Sequence, residues 1–145
     1  CKLVVGEMAI SLATEFIENP KGEFEKQDCE LKAFYRLEKK VKEKYRRLPI
    51  CILVDSEYAC QQVLEICKKN KWEHIIRFKA GSIPTVAKEF EQLKEYGGDI
   101  TMEKCGKIYR YVNDIEYKGY KVNVIEMEEP EKKYPFRIYG VEKNK

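Results

Sequence analysis

PICILVDSEYAC, Pro49 to Cys60, decides how this chain is read. Ile50, Cys51, Ile52, Leu53 and Val54 form an unbroken apolar run, and Asp55 follows it directly. Pro49 stops any helix before it, because proline has no N–H and its ring clashes with the preceding turn. A continuous apolar run suits a strand covered on both faces, as in a parallel or central strand. Downstream, Ala59, Cys60, Val63, Leu64 and Cys67 recur at helical spacing, while Glu65, Lys68 and Lys69 face water. The stretch therefore predicts a βα unit with Asp55 at the carboxyl end of its strand.

Asp55 admits two roles. Ligands of open α/β sheets gather beyond the carboxyl ends of the strands, where a carboxylate is held rigidly and stays reachable. An Asp or Ser in front of a helix also accepts hydrogen bonds from free helix N–H groups and serves as its cap. Spacing does not choose between them. Glu57 would share a divalent cation with Asp55 on extended backbone, and would diverge from it once a helix has begun.

Upstream, KLVVGEMAISLATEF, Lys2 to Phe16, is rich in strand formers and broken by Gly6 and Glu7, the pattern of two short strands or one bulged strand. ENPKGEFEKQD, Glu18 to Asp28, favours turns, and Gln27 or Asp28 lies near a helix start. Leu31, Phe34, Leu37, Val41 and Tyr45 share one face of a long amphipathic helix. Its basic end, Lys39, Lys40, Lys42, Lys44, Arg46 and Arg47 against Glu43, complements the helix dipole as a solvated terminus or contacts phosphates.

Downstream, Ile76 and Phe78 alternate with Arg77 and Lys79, so a strand projects the two cations on one face. That face would bind a polyanion near the Asp55 strand end, or protect a sheet edge. Ser82 and Pro84 open a third helix with Val86, Ala87, Phe90 and Leu93 on its apolar side, and Gly97-Gly98 close it. KIYRYVNDIEYKGYKVNVIEME, Lys107 to Glu128, reads as two strands joined at Lys118-Gly119, placing Tyr117 opposite Tyr120, Glu116 opposite Lys121 and Ile115 opposite Val122. YPFRIYG, Tyr134 to Gly140, adds another strand before the polar tail VEKNK.

At 145 residues and 43% hydrophobic, one domain with a sizeable core is expected. The net charge of +3 is too small to diagnose a nucleic-acid binder, so local patches carry that argument. The six cysteines lack the paired spacing of zinc ligands and no signal peptide precedes them, so reduced thiols are expected, with Cys51, Cys60 and Cys67 filling a core. No apolar run approaches the roughly 20 residues that span a bilayer, so a soluble chain without a membrane partner is expected. His74 has no Ser or Cys motif around it and reads as structural, and no glycine-rich phosphate loop is present. Glu15 is another possible carboxylate ligand, although a surface position is the common fate of Glu. The start at Cys1 rather than Met is that of a fragment, a processed chain or an excised domain.

Five ordered segments carry a family resemblance: ISLATEFIEN (10–19), KQDCELKAF (26–34), LPICILVDSEYAC (48–60), EICKKNKWEHIIRFKAGSIPTVAKEFEQLK (65–94) and YRYVNDIEYKGYKVNVIE (109–126). Together they resemble the central part of bacterial insertion-sequence DDE transposases, over about residues 3–137. The resemblance implies an α/β, RNase H-like fold, a mixed sheet flanked by helices and incomplete here. Residues 1–145 would be a partial catalytic domain, with 99–130 as part of a β-rich insertion. It implies three acids holding two Mg²⁺ or Mn²⁺ ions, with Asp55 matching the second aspartate as a catalytic, metal-binding residue. Two such metals activate a water or a DNA 3′-hydroxyl and stabilise the leaving oxygen. Arg77, Lys79, Arg46 and Arg47 would contact the DNA backbone. Transposon-end and target DNA, a homo-oligomer of the intact protein and a bacterial cytoplasmic setting are likewise implied.

The family pattern is departed from at both ends. No aspartate precedes the N-terminal sheet segment, and VEKNK does not match the helix that supplies the third acid, so Glu142 takes no such role. The absent first strand would lie between the strand near Lys2 to Met8 and the strand ending at Asp55. Those two strands then close together, leave an open edge or accept a partner segment. The expectation is a fragment of a DDE transposase, inactive alone. Two alternatives stay open: a non-catalytic DNA-binding or interaction remnant acting through residues 39–47, Arg77 and Lys79, and an α/β phosphohydrolase or nucleotide-binding domain using Asp55 and Glu57.

Overall fold

The computed structural model describes residues 1–18, 28–79, 81–129 and 136–140. The turn segment expected over 19–27 and the tail 141–145, Glu142 included, lie outside them. Among the described residues the chain is mixed α/β, with three α-helices and eight strands. It divides into two compact units, Cys1–Leu48 and Pro49–Lys145.

In the first unit, β1 (Lys2–Val5) and β2 (Met8–Ser11) pair antiparallel, Lys2 opposite Ser11 and Val5 opposite Met8. Gly6 takes the left-handed φ of 57° that the tight turn between them requires. Of the two patterns read from the sequence, two short strands is the one observed. Helix α1 (Glu30–Lys44) buries Ala33 and Val41 on one face, with Leu31, Phe34 and Leu37 half-buried beside them. The Tyr45 N–H donates to the Val41 carbonyl and closes the last turn, well before Pro49.

The second unit is built on β3 (Cys51–Val54), a 3₁₀ turn (Ser56–Tyr58), α2 (Gln61–Asn70), β4 (Glu73–Phe78) and α3 (Pro84–Glu95). β5 (Ile100–Lys104), β6 (Lys107–Tyr117), β7 (Tyr120–Glu128) and β8 (Phe136–Gly140) follow. The six strands of this unit form one sheet in the order β3-β4-β8-β7-β6-β5. β3 and β4 are parallel, and β8 runs antiparallel to both β4 and β7. Strand β8 thereby makes the β5–β7 meander continuous with the β3–β4 pair. The β6–β7 hairpin has the expected register, Tyr117 against Tyr120, Glu116 against Lys121 and Ile115 against Val122. A bulge between Val112 and Ile115 is held by the Asp114 N–H, which donates to Asn123 Oδ1 at 3.0 Å.

Helices cover one face of this sheet. Ile76, Val112, Ile115, Val122 and Val124 are buried on that face, against Val63, Leu64 and Cys67 of α2 and Val86, Ala87 and Phe90 of α3. Each such apolar side chain, fully buried, stabilises the fold by about 1.5–3 kcal/mol. The other face carries Leu53, Ile75, Ile100, Met102 and Ile125, all exposed. The expectation that β3 is covered on both faces is therefore corrected. β3 is an edge strand with β4 as its one partner among the described residues, and Leu53 is 62% exposed. A short apolar run does not by itself distinguish edge from centre. Cys51, on the same open face, is exposed rather than in the core; Cys60 is half-buried, and Cys67 at 1% exposure fills the core as expected. All six thiols are free.

Among the described residues, one charge lies in that core. Glu126, 2% exposed, accepts a hydrogen bond from Lys94 Nζ of α3 at 2.8 Å, and Arg110 Nη1 lies 3.6 Å away. Removing one partner of a buried pair leaves the other uncompensated. Lys94→Met is expected to destabilise the chain by about 2 kcal/mol, and adding Glu126→Leu to restore most of the loss. Urea unfolding midpoints check this; equal losses in the single and double variants would refute it.

Candidate functional site

Because β3 and β4 are parallel, their carboxyl ends open onto the same end of the sheet, the position where α/β sheets hold ligands. The segments leaving them supply Ser56, Glu57 and Ala59 after β3, and Lys79, Gly81 and Ser82 after β4. These six residues line an open depression of about 410 Å³. The Ser82 N–H donates to the Lys79 carbonyl at 2.8 Å and turns the second loop back toward α3.

Asp55 stands at the rim of this region on extended backbone, φ −87° and ψ −174°. Its Oδ1 accepts the Glu57 N–H at 3.0 Å, and its carbonyl accepts the Tyr58 N–H at 3.2 Å. Asp55 is thus the cap of the 3₁₀ turn. A carboxylate offers two oxygens and roughly four lone-pair sites, so capping through Oδ1 fixes the group without exhausting it. The turn begins at Ser56, which is the case in which Glu57 and Asp55 diverge rather than grip one ion side by side.

Of the four cations singled out in the sequence, only Lys79 lines the depression. Arg77 lies within β4 opposite Ile138, exposed on the open sheet face. Arg46 and Arg47 are exposed after α1, in the other compact unit. His74 is half-buried, and burial pushes its pKa below the ordinary imidazole value. Partial burial, and then the Glu73 charge, push the Cys51 thiol up, away from the reactive thiolate.

Glu15 belongs to a clamp within the first unit. Arg36 Nε donates to Glu15 Oε1 at 2.7 Å, and Lys40 donates to the other carboxylate oxygen. Arg36 also grips Asp28 with Nη1 and Nη2, at 3.1 and 2.7 Å, and the Phe16 carbonyl at 2.9 Å. The Glu18 N–H donates to Asp28 Oδ2 at 3.0 Å. Glu15 is held below its usual pKa first by the Lys40 bond and then by Arg36; Asp28 is held lower still, first by Arg36 and then by the Glu18 amide. The sequence signal for this clamp is Arg36 four residues before Lys40, both on one side of α1. Glu15 is a structural ion-pair partner.

Among the described residues no group of three or more His, Cys, Asp or Glu side chains is placed to hold a metal ion. Mg²⁺ seeks near-octahedral oxygen coordination, which a single carboxylate with one oxygen engaged in a cap does not provide. No catalytic step through a metal follows from these residues alone. No described helix is long and apolar enough to cross a membrane. No protein-family model, curated protein or solved structure matches the chain.

Two outcomes are expected. Asp55→Ala removes the cap and should lower stability by about 1 kcal/mol, whereas Asp55→Ser should retain most of it, as read from urea midpoints. For the clamp, carboxylates with depressed folded pKa values contribute stability that is complete above about pH 5 and is lost as pH falls through those folded values. The difference in urea midpoint between the wild type and Arg36→Met should therefore be greatest at pH 7 and decline steadily as pH falls from about 5 to 2, with the share of Asp28 the last to go. A difference that does not change between pH 5 and pH 2 would mean that Arg36 acts by packing.

Proposed function

We propose that this chain is part of a DDE transposase, an RNase H-like catalytic domain in which Asp55 is one of the metal-holding carboxylates for DNA cleavage and strand transfer. The observation that carries the reading is the placement of Asp55: a capped, exposed carboxylate at the carboxyl end of a parallel edge strand that pairs with no described strand on its other side. A strand added along that edge would end beside Asp55 and bring a second acid within reach of one ion. Lys79, at the neighbouring strand end, is placed to neutralise a phosphate arriving there. The phosphohydrolase or nucleotide-binding alternative gains no comparable support, since it needs a phosphate-cradling loop and a cooperating Glu57.

Lys79 in the lining of the depression favours one second reading, a non-catalytic DNA-binding remnant acting through residues 39–47, Arg77 and Lys79. The two are separated by the coding DNA and by one assay. The transposase reading expects a strand ending in Asp to be encoded upstream and a helix bearing Glu downstream. It also expects Mn²⁺-dependent DNA nicking by the protein so extended to fall at least about 100-fold in Asp55→Ala. Nicking that survives Asp55→Ala sinks the assignment; metal-independent, salt-sensitive binding without any nicking supports the remnant.

A further inference from the structure

A second charged surface lies at the opposite end of the same sheet. β4 and β7 both run antiparallel to β8, so they point the same way, and the start of β7 is level with the start of β4. There the C-terminus of α2 meets the β6–β7 turn. Lys68, Lys69 and Lys71 come from the first, Lys118 and Lys121 from the second, and all five are exposed. Lys68 Nζ lies 5.2 Å from the centre of the Tyr120 ring, and Lys118 Nζ lies 5.5 Å from that of Tyr117. Lys68, Tyr120 and Lys121 line one groove with Trp72. The opposing charges nearby are Asp114, 3.8 Å from Lys121, together with Glu116 and Glu73.

Two of these lysines stand where the backbone disfavours them. Helix α2 ends with the Trp72 N–H donating to the Cys67 carbonyl at 2.8 Å and the Lys71 N–H donating to that of Lys68 at 3.2 Å, with Lys71 left-handed at φ 57°. Helix α3 ends in the same pattern but places Gly97 at that position, φ 70°. The β6–β7 turn has left-handed φ at both Lys118 (50°) and Gly119 (80°), where Asn-Gly is the favoured pair. Among the described residues the non-glycine positions with positive φ are Lys71, Cys105, Asp114 and Lys118, so both left-handed lysines fall at this one end. A residue held against local preference points to a role outside local stability.

We propose that this lysine end of the sheet binds the phosphodiester backbone of nucleic acid. Separate ammonium groups interleaved with tyrosine rings match a ligand that repeats phosphates along a chain and presents ring faces between them. The surface uses neither Asp55 nor a metal, so it stands apart from the transposase reading.

The test measures binding of a labelled oligonucleotide, single- and double-stranded, to the whole chain by fluorescence anisotropy across a salt series. Lys71→Asn with Lys118→Asn should leave the urea midpoint unchanged or raised, because asparagine tolerates left-handed backbone better. The same variant should weaken binding about tenfold at low salt, and the slope of log affinity against log salt should become shallower by about 2. Lys68→Gln with Lys121→Gln, which leaves both left-handed positions alone, should weaken binding likewise. Affinity within twofold of wild type in both variants overturns the proposal. Loss confined to Arg77→Ala with Lys79→Ala also overturns it, while leaving the Asp55 end intact as a DNA site. Binding to anionic vesicles but to neither oligonucleotide assigns the surface to lipid and overturns it as well.

Discussion

The six-stranded sheet of the second unit is covered by its own helices on one face, and most of what distinguishes its residues follows from that asymmetry. Strand alternation sorts side chains between a face packed under α2 and α3 and a face left open. Val122, Val124 and Glu126 fall on the packed side by register, so Glu126 is buried for the same geometric reason as the two valines before it. A buried carboxylate is tolerated only with partners, and Lys94 reaches it from α3 one turn beyond Phe90, which is fully buried. The ion pair thus ties the last turn of α3 to β7.

The same asymmetry frames Asp55. At the end of a central strand it would have paired strands on both sides; at the end of β3 it has β4 on one side and no described paired strand on the other. The cap to Glu57 holds the carboxylate in place, and rigidity is what a ligand needs before any ion arrives. Rigidity is not enough for Mg²⁺, which is held by several oxygens at once. Cap and ligand, alternatives when only spacing is considered, are compatible because they engage different lone pairs.

Local signals made much of the fold legible. Pro84 at the first turn and Gly97 at the left-handed position bound α3 at both ends. Lys118-Gly119 between two alternating runs sets the hairpin register residue by residue. What was not legible depends on partners distant in sequence. An apolar CILV run reads alike at an edge and in the middle, so the exposure of Cys51 and Leu53 was hidden until β4 proved to be the single described neighbour of β3. The joining of the β5–β7 meander to β4 through β8 is similarly non-local. Glu126 was within reach of a closer reading, because it continues the Val122–Val124 face while Lys94 continues the Phe90 face of α3.

The ends of α2 and α3 meet one backbone requirement with different residues. Both helices close with the same pair of backbone hydrogen bonds, from Lys71 and Trp72 in α2 and from Gly97 and Gly98 in α3, back to the last turn. The geometry demands a left-handed residue in each case, and glycine meets that demand in α3 without steric conflict. In α2 the demand falls on Lys71, and in the hairpin a similar demand falls on Lys118. The hydrogen bonds of these two turns do not require a lysine side chain, and the backbone would relax if it were replaced. The fold therefore explains the shape of these turns but not the lysine at each; Lys118 lies beside the Tyr117 ring, and Lys68, three residues before Lys71, lies beside that of Tyr120.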